Sequence, residues 1–541
     1  MAYESLASEP NDGVTDHNDD ALYVGIDTLK AARDNIKGWY LYSFSSEPFV
    51  VSAVATYVPL LLEQFARING VRLDDHNAPC STSSSDKCVL GLFNNRVFVD
   101  SSSFALYVFS LSVLFQTVVV ISVSGMVDRW KTISFRKNVL VTFGMVGAFA
   151  TVLISLLNET QYYSLVVYYI VANSCYGVIN VVGNSLLPLF VDDLVRLQPD
   201  HTVPAAEELS LDTDDKDGLT TVISGRGASI GYSAALVVQL ISILLVRLSP
   251  SKQDIQYAVF FVGLWWAVWQ FPMYWLLSDS IIPDQQSNQA IANDRYHDID
   301  GSIFTFVNLS SLKYGWKLLG EALKHATLLR DVVIFLIGWF ILSDSLTTIN
   351  STAILFAKTE LHMSTINLIS LSIITMISAM VGAFAIPQIV STSLHVPPQR
   401  TILLIICWAS IIPLYGMLGF IFQSFGLKHQ FEMFILGVWY GISMGSVAAV
   451  SRSLFTIIIP KGRESTFFSL FSITDKGSSI VGPFIIGIVT DKTHNIRYSF
   501  FILFILLVFS LPIFKMLNVE RGKREAEEIS KLHVNIDPIQ D

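Results

Sequence analysis

Gly38-Trp39-Tyr40-Leu41-Tyr42-Ser43-Phe44-Ser45 returns 300 residues later as Gly338-Trp339-Phe340-Ile341-Leu342-Ser343-Asp344-Ser345. A second pair follows in the same order, with Arg226-Gly227-Ala228-Ser229-Ile230 returning as Lys476-Gly477-Ser478-Ser479-Ile480. Each copy lies in an apolar run long enough to cross a bilayer, so the order of the matches implies a duplicated helical membrane unit. Proteins built from such repeats commonly place a substrate site between the copies and rock one against the other. The expected fold is therefore an all-α membrane protein of two related halves, with transport as its first functional reading.

Composition agrees. Of 541 residues, 52% are hydrophobic and only 15% charged, and the mean hydropathy is +0.52, which excludes an ordinary soluble domain. A hydrocarbon core of about 30 Å takes roughly 20 mostly apolar residues per helix. Twelve stretches qualify, at 39–62, 102–127, 138–157, 163–190, 221–246, 257–278, 332–356, 365–390, 401–423, 431–459, 467–489 and 497–517. They divide the chain into an N-terminal tail (1–38), a six-helix half (39–278), a central linker (279–331), a second six-helix half (332–517) and a C-terminal tail (518–541). Long connections fall at 63–101 and 191–220. Residues 1–37 are polar and do not read as a cleavable leader, so the first span is expected to direct its own insertion.

Basic residues set the expected orientation. With both termini in the cytosol, cytosolic segments hold 22 of the 35 Lys and Arg residues and the opposite side 10. The formal net charge of −10 comes largely from the tails and the 191–220 connection, and reads as solvation, not as a surface for nucleic acid. Cys80 and Cys88 lie on the non-cytosolic side under this topology, where an oxidising lumen would allow a disulfide. Cys175 and Cys407 fall within helices and read as small hydrophobes.

Charges within spans are costly unless paired or facing a polar cavity. Six stand out: Glu47, Arg226, Asp344, Arg452, Asp475 and Lys476. In transporters of two six-helix halves, the first and fourth helices of each half line the centre, which by fold analogy places Glu47, Asp344 and Arg452 there. The fourth span adds the amides Asn173, Asn180 and Asn184. Glu47 precedes Pro48, whose missing N–H loosens the helix beside the carboxylate. Two readings of Arg452 stand side by side, a substrate ligand or an ion pair with Asp475 at similar depth. Structural roles are favoured for Arg226 and Lys476, and Asp344 is either a site carboxylate or one satisfied by its serine and threonine neighbours.

Ser124-Gly125-Met126-Val127-Asp128-Arg129, followed by Lys131, Arg136 and Lys137, resembles the loop signature with which major facilitator proteins latch their halves together. Ser124 replaces the usual glycine, and Trp130-Lys131 the usual Gly-Arg. Further on, Arg452-Ser453-Leu454-Phe455, Ile459-Pro460-Lys461-Gly462-Arg463-Glu464, Phe467-Phe468 and Gly482-Pro483 resemble the autophagy-related protein 22 family of that superfamily. The run Trp39 to Phe49 resembles its fungal members, with Ser43 where bacterial relatives carry Asp. The resemblance implies twelve transmembrane helices in two pseudo-symmetric halves and a permease of the vacuolar membrane, both termini cytosolic. It further implies export of neutral amino acids such as leucine to the cytosol after autophagic breakdown.

The residues suit such a substrate. A zwitterion needs a cation, an anion or carbonyl, and an apolar wall. Arg452, then Glu47 or Asp344, then Tyr42, Phe44, Trp339, Phe340 and Trp439 supply these, with Asn180 and Asn184 as further candidates, and protons could ride on either carboxylate. Asp128, Arg129, Arg226, Asp475 and Lys476 are the candidate structural pairs or gate. No zinc-protease motif, phosphate-binding loop or nucleophile elbow occurs, so an enzyme or a nucleotide-driven pump is not expected, and no cofactor or metal is called for. A mover of lipids or other small solutes, or a non-transporting receptor, is the alternative on the same fold.

Overall fold

The computed structural model describes residues 16–72, 78–80, 88–92, 95–129, 132–196, 216–248, 254–278, 315–317, 320, 329–363, 365–422, 424–478, 482, 485–486, 489 and 495–534. Among them, 11 helices are long and apolar enough to cross a membrane. The first half comprises α1 (Asp16–Pro48) continuing into α2 (Val58–Ile68), then α3 (Ser101–Arg129), α4 (Ile133–Ser155), α5 (Tyr162–Arg196), α6 (Lys216–Leu248) and α7 (Asp254–Leu276). The second half holds α8 (Arg330–Thr359), α9 (Thr365–Pro387), α10 (Pro398–Leu418), α11 (Gln430–Ile458), α12 (Glu464–Ser478) and α13 (Ser499–Met516), followed by α14 (Val519–Val534). The stretch expected at 467–489 corresponds to α12, with Gly482, Ile485, Ile486 and Val489 also helical. The chain is thus a multi-pass helical membrane protein.

Several boundaries differ from the hydropathy reading. The first helix starts well before residue 39, and Pro48 does not unwind it. Instead the backbone widens into a π-helical segment, Phe49–Tyr57, before returning to α geometry. Proline removes one helical hydrogen bond, and a π register is one way for neighbouring carbonyls to find new partners. Pro387 acts alike at the end of α9, where Gln388–Ser393 is also π-helical. The 63–101 connection is not plain loop. Val71–Arg72 (β1), Cys88–Leu92 (β2) and Val97–Asp100 (β3) form an antiparallel sheet in the order β1-β2-β3, and Cys80 is bonded to Cys88 with Cα atoms 5.9 Å apart. The tail beyond 518 contains α14, which docks on the bundle. Residues 1–15, most of the 279–331 linker and the Trp130-Lys131 pair lie outside the described residues.

Small residues bring helices together. Gly437, Gly441 and Gly445 recur every fourth residue on α11 and face α9, where a Cβ at Gly441 would run into the Thr375 carbonyl and one at Gly445 into Ala379. In the first half, a Cβ at Gly227 would strike the Trp39 ring, and one at Gly183 would lie 2.6 Å from the Tyr42 ring. The halves meet where α3 and α5 pack on α12, and where α6 packs on α9 and α11. The end of the bundle carrying Arg136, Lys216, Lys461 and α14 is called the basic end below, and the opposite one the sheet end.

Candidate functional site

At the basic end, carboxylates join the halves. Asp128 closes α3 and accepts from the backbone N–H groups of Ser465 (2.9 Å) and Thr466 (2.7 Å), and from the Thr466 hydroxyl (2.7 Å). A negative charge there faces the positive end of the α12 dipole. Arg136, 1% exposed, donates to Glu464 at 3.1 Å and to the Ser185 carbonyl and hydroxyl at 3.1 and 3.0 Å, and lies 3.8 Å from Asp128. Asp192 bonds to Lys216 and, across the seam, to Lys461 at 2.5 Å. Thr221 and Ser453 hydroxyls pair at 2.7 Å, and Ser224 donates to the Ala449 carbonyl at 2.8 Å. The contact between the halves at this end is therefore centred on Asp128, Arg136 and Glu464. The Arg129 side chain lies outside the described residues.

Midway along the bundle the pattern changes. Glu47 sits on α1 just before the π-helical segment, and Arg452 on α11 of the other half. Each lies in the other's field, with Lys476 also near Glu47. The Arg452 guanidinium rests 5.8 Å from the Trp39 ring centroid, and Trp39 is fixed by its Nε1–H donating to the Gly183 carbonyl at 2.7 Å. Tyr42, Tyr176 and Tyr232 lie in the field of both charges. Tyr176, Asn180 and Asn184 recur at helical spacing on one face of α5. Asn184 donates to Asn180 (3.1 Å), Asn180 to Tyr176 (3.5 Å), and the Tyr42 hydroxyl to Asn184 (3.4 Å). Two atoms stand outside this network. Glu47 accepts no hydrogen bond among the described residues, and Arg452 buries an Nη1 with no hydrogen-bond partner there.

The remaining candidates go elsewhere. Asp344, 4% exposed, accepts from the Gly482 backbone N–H at 2.8 Å, tying α8 to the stretch beyond α12. The expected Arg452–Asp475 pair does not form: Asp475 accepts from Ser343 at 2.6 Å and lies 3.9 Å from the Lys476 ammonium. Arg226 reaches Gln388 at 3.5 Å and the Tyr40 hydroxyl. Asn173 turns to Ser112 on α3, at 3.0 Å. Trp339 stacks on Phe471 at 4.8 Å. Trp439, expected on the central wall, stacks on Trp408 of α10 at 3.8 Å and donates to its carbonyl, because its position on α11 points away from Arg452. Tyr42 was expected here; Tyr176 and Tyr232 beside Glu47, and the Arg136–Glu464 pair, are additions that hydropathy and charge counting did not single out, although Tyr176, Asn180 and Asn184 show the four-residue spacing in the sequence.

Comparison with known proteins extends this picture. A family model described as "Vacuole effluxer Atg22 like" matches residues 31–527. "Autophagy-related protein 22" of Candida glabrata is 99% identical over 541 residues, covering 100% of both chains. The protein of the same name from Saccharomyces cerevisiae (strain YJM789) is 58% identical over 538 residues, covering 98% of each. Among solved structures, a major facilitator superfamily proton:xylose symporter, XylE, bound to 6-bromo-6-deoxy-D-glucose, is similar with a TM-score of 0.56 at 11% identity, over 92% of this chain and 97% of that one. A bacterial homologue of the iron transporter ferroportin in an outward-facing state gives a TM-score of 0.51 at 12% identity, over 90% and 99%. The fold is thus that of the major facilitators.

Proposed function

The chain belongs to the Atg22-like vacuole effluxer family, and on that premise we propose that it carries neutral amino acids, such as leucine, from the vacuole lumen to the cytosol by alternating access. The observation that carries this reading is that Arg452 and Glu47, from opposite halves, lie in each other's field without bonding, with an unpartnered Nη1 on one side and an unbonded carboxylate on the other. A buried guanidinium N–H without a partner is costly, and a substrate carboxylate would relieve that cost with a charge-assisted bond. Glu47 would take the ammonium or a coupled proton. Trp39 and the surrounding tyrosines supply a wall that tolerates varied side chains.

Lysine and arginine bias supports an orientation with the basic end and both termini in the cytosol and the disulfide-bonded sheet in the lumen. The Asp128, Arg136 and Asp192 contacts then hold the cytosolic side shut, the state in which lumenal substrate loads. Efflux follows when that seam parts. The test is counterflow of labelled leucine in liposomes containing the purified protein, with and without a pH gradient. Arg452→Gln is expected to lower kcat/KM for leucine by roughly 10- to 100-fold, the scale of losing one charge-assisted contact, without loss of folded protein. Parent-like transport by this variant would remove Arg452 from the site, and an inert parent would remove the transport reading itself.

A further inference from the structure

The element that sequence reading leaves as a tail, α14, is built into the seam. Gly522, Ala526 and Ile529 lie on one buried face, at spacings of four and three residues. A Cβ at Gly522 would come 3.0 Å from Ile458 and 3.2 Å from Asp331, so the helix backbone rests directly on α8 and α11. Arg521 grips the fully buried Asp331 with two bonds, 2.6 Å from Nε and 2.8 Å from Nη2, while the Asn518 N–H donates to the same carboxylate at 2.8 Å. At the other end, Ser530 accepts the Lys461 backbone N–H at 3.0 Å. These contacts are all to the second half.

From this anchorage α14 reaches the first half. Lys523 Nζ lies 2.6 Å from Asp217 Oδ2, in the opening turn of α6. Lys461, held through its backbone by Ser530, extends its ammonium 2.5 Å from Asp192 on α5. We propose that α14 is a strap that holds the basic end closed, and that the halves can part there only after Lys523 releases Asp217. The strap is distinct from the Asp128 contacts, because it acts from outside the transmembrane helices and leaves any substrate site untouched.

The test reads conformation without substrate or sidedness. In purified full-length protein in detergent, Ser453→Cys places a thiol at a position with 0% exposure that pairs with Thr221 across the seam. Cys407→Ala removes the exposed native thiol, and Cys175, buried inside the first half, remains as an internal control. In this background Lys523→Glu is expected to raise the labelling rate at position 453 about threefold, the scale of a partly exposed ion pair, with Cys175 unchanged. The exchanged pair Asp217→Lys with Lys523→Asp is expected to return that rate to the parent value. Parent-rate labelling in Lys523→Glu, or failure of the exchanged pair to restore it, would overturn the proposal. Should Lys523→Glu unfold the protein, faster Cys175 labelling would report it. Lys523→Met keeps the stem, loses only the charge, and carries the same expectation at about twofold.

Discussion

At the sheet end, Glu432 accepts from the Tyr415 hydroxyl (2.7 Å) and from the backbone N–H groups of Gly426 (3.0 Å), Leu427 (2.7 Å), Lys428 (3.1 Å) and His429 (2.9 Å). Arg497 completes this clasp by donating to the Gly426 and Leu427 carbonyls at 2.8 and 2.6 Å. Midway along the bundle, Glu47 accepts nothing among the described residues. A carboxylate surrounded by fixed donors stabilises one structure and has little capacity for anything else. A carboxylate left without them destabilises the resting protein and can gain from whatever arrives, a substrate or a proton. Asp128 is a third kind, since its donors Ser465 and Thr466 belong to the opposite half and must withdraw when the halves part.

If this division holds, Glu432 is the most costly of the three to alter. Glu432→Ala orphans backbone donors in the connection before α11 and leaves Arg497 with a weakened loop to hold. A loss of about 3 kcal/mol is expected, the scale of breaking a buried charged network, and it should appear as a lower Tm in detergent and reduced protein level. Unchanged thermal stability would mean that the clasp is incidental and would blur the contrast with Glu47.

Asp128→Asn should cost less and act differently. The amide keeps one acceptor but loses the charge facing the α12 N-terminus and Arg136. The expected effect is roughly 1 kcal/mol against the closed basic end, or about a fivefold rise in the population open there. Labelling of the cysteine introduced by Ser453→Cys measures it, while Tm should move little. A fall in Tm without faster labelling would place Asp128 with Glu432, among residues that hold the fold and not the gate.

This sorting explains how far the sequence could be read. Spans, duplicated halves and the intramembrane charges were legible because each depends on composition or on local repetition. The role of a charge depends on partners remote in the chain, and these follow from helix phase. Counted along their helices, Arg452 and Asp475 fall at similar depth, yet Asp475 is bonded to Ser343 and Arg452 faces Trp39. Trp439 shares a helix with Arg452 but points to Trp408. Glu432 stands at the mouth of a span, where a carboxylate reads as solvated, although its place three residues after His429 has the spacing of a capping box. Glu464 was visible only as part of a family motif, and α14 only as a polar tail. Hydropathy locates helices and says little about which face of each meets the seam.

The smallest effect on stability is expected at the centre, and it is the most informative. Glu47→Gln removes a charge that no described donor holds, so stability should stay within about 0.5 kcal/mol of the parent. Leucine transport should nevertheless change, and its form separates two roles. If Glu47 carries the coupled proton, the variant keeps exchange but loses its dependence on pH from about pH 5 to about pH 7.5. If Glu47 binds the ammonium, the apparent KM rises at every pH, because contact is lost equally in ground and transition states. Asp344→Asn is the control, since Asp344 is occupied by the Gly482 N–H and should lose stability before it loses transport. The pattern reverses if Asp344 is the working carboxylate: Glu47→Gln then transports like the parent across that range, and Asp344→Asn is stable but inactive. That result would move the site towards α8 while leaving the family and the fold as they are.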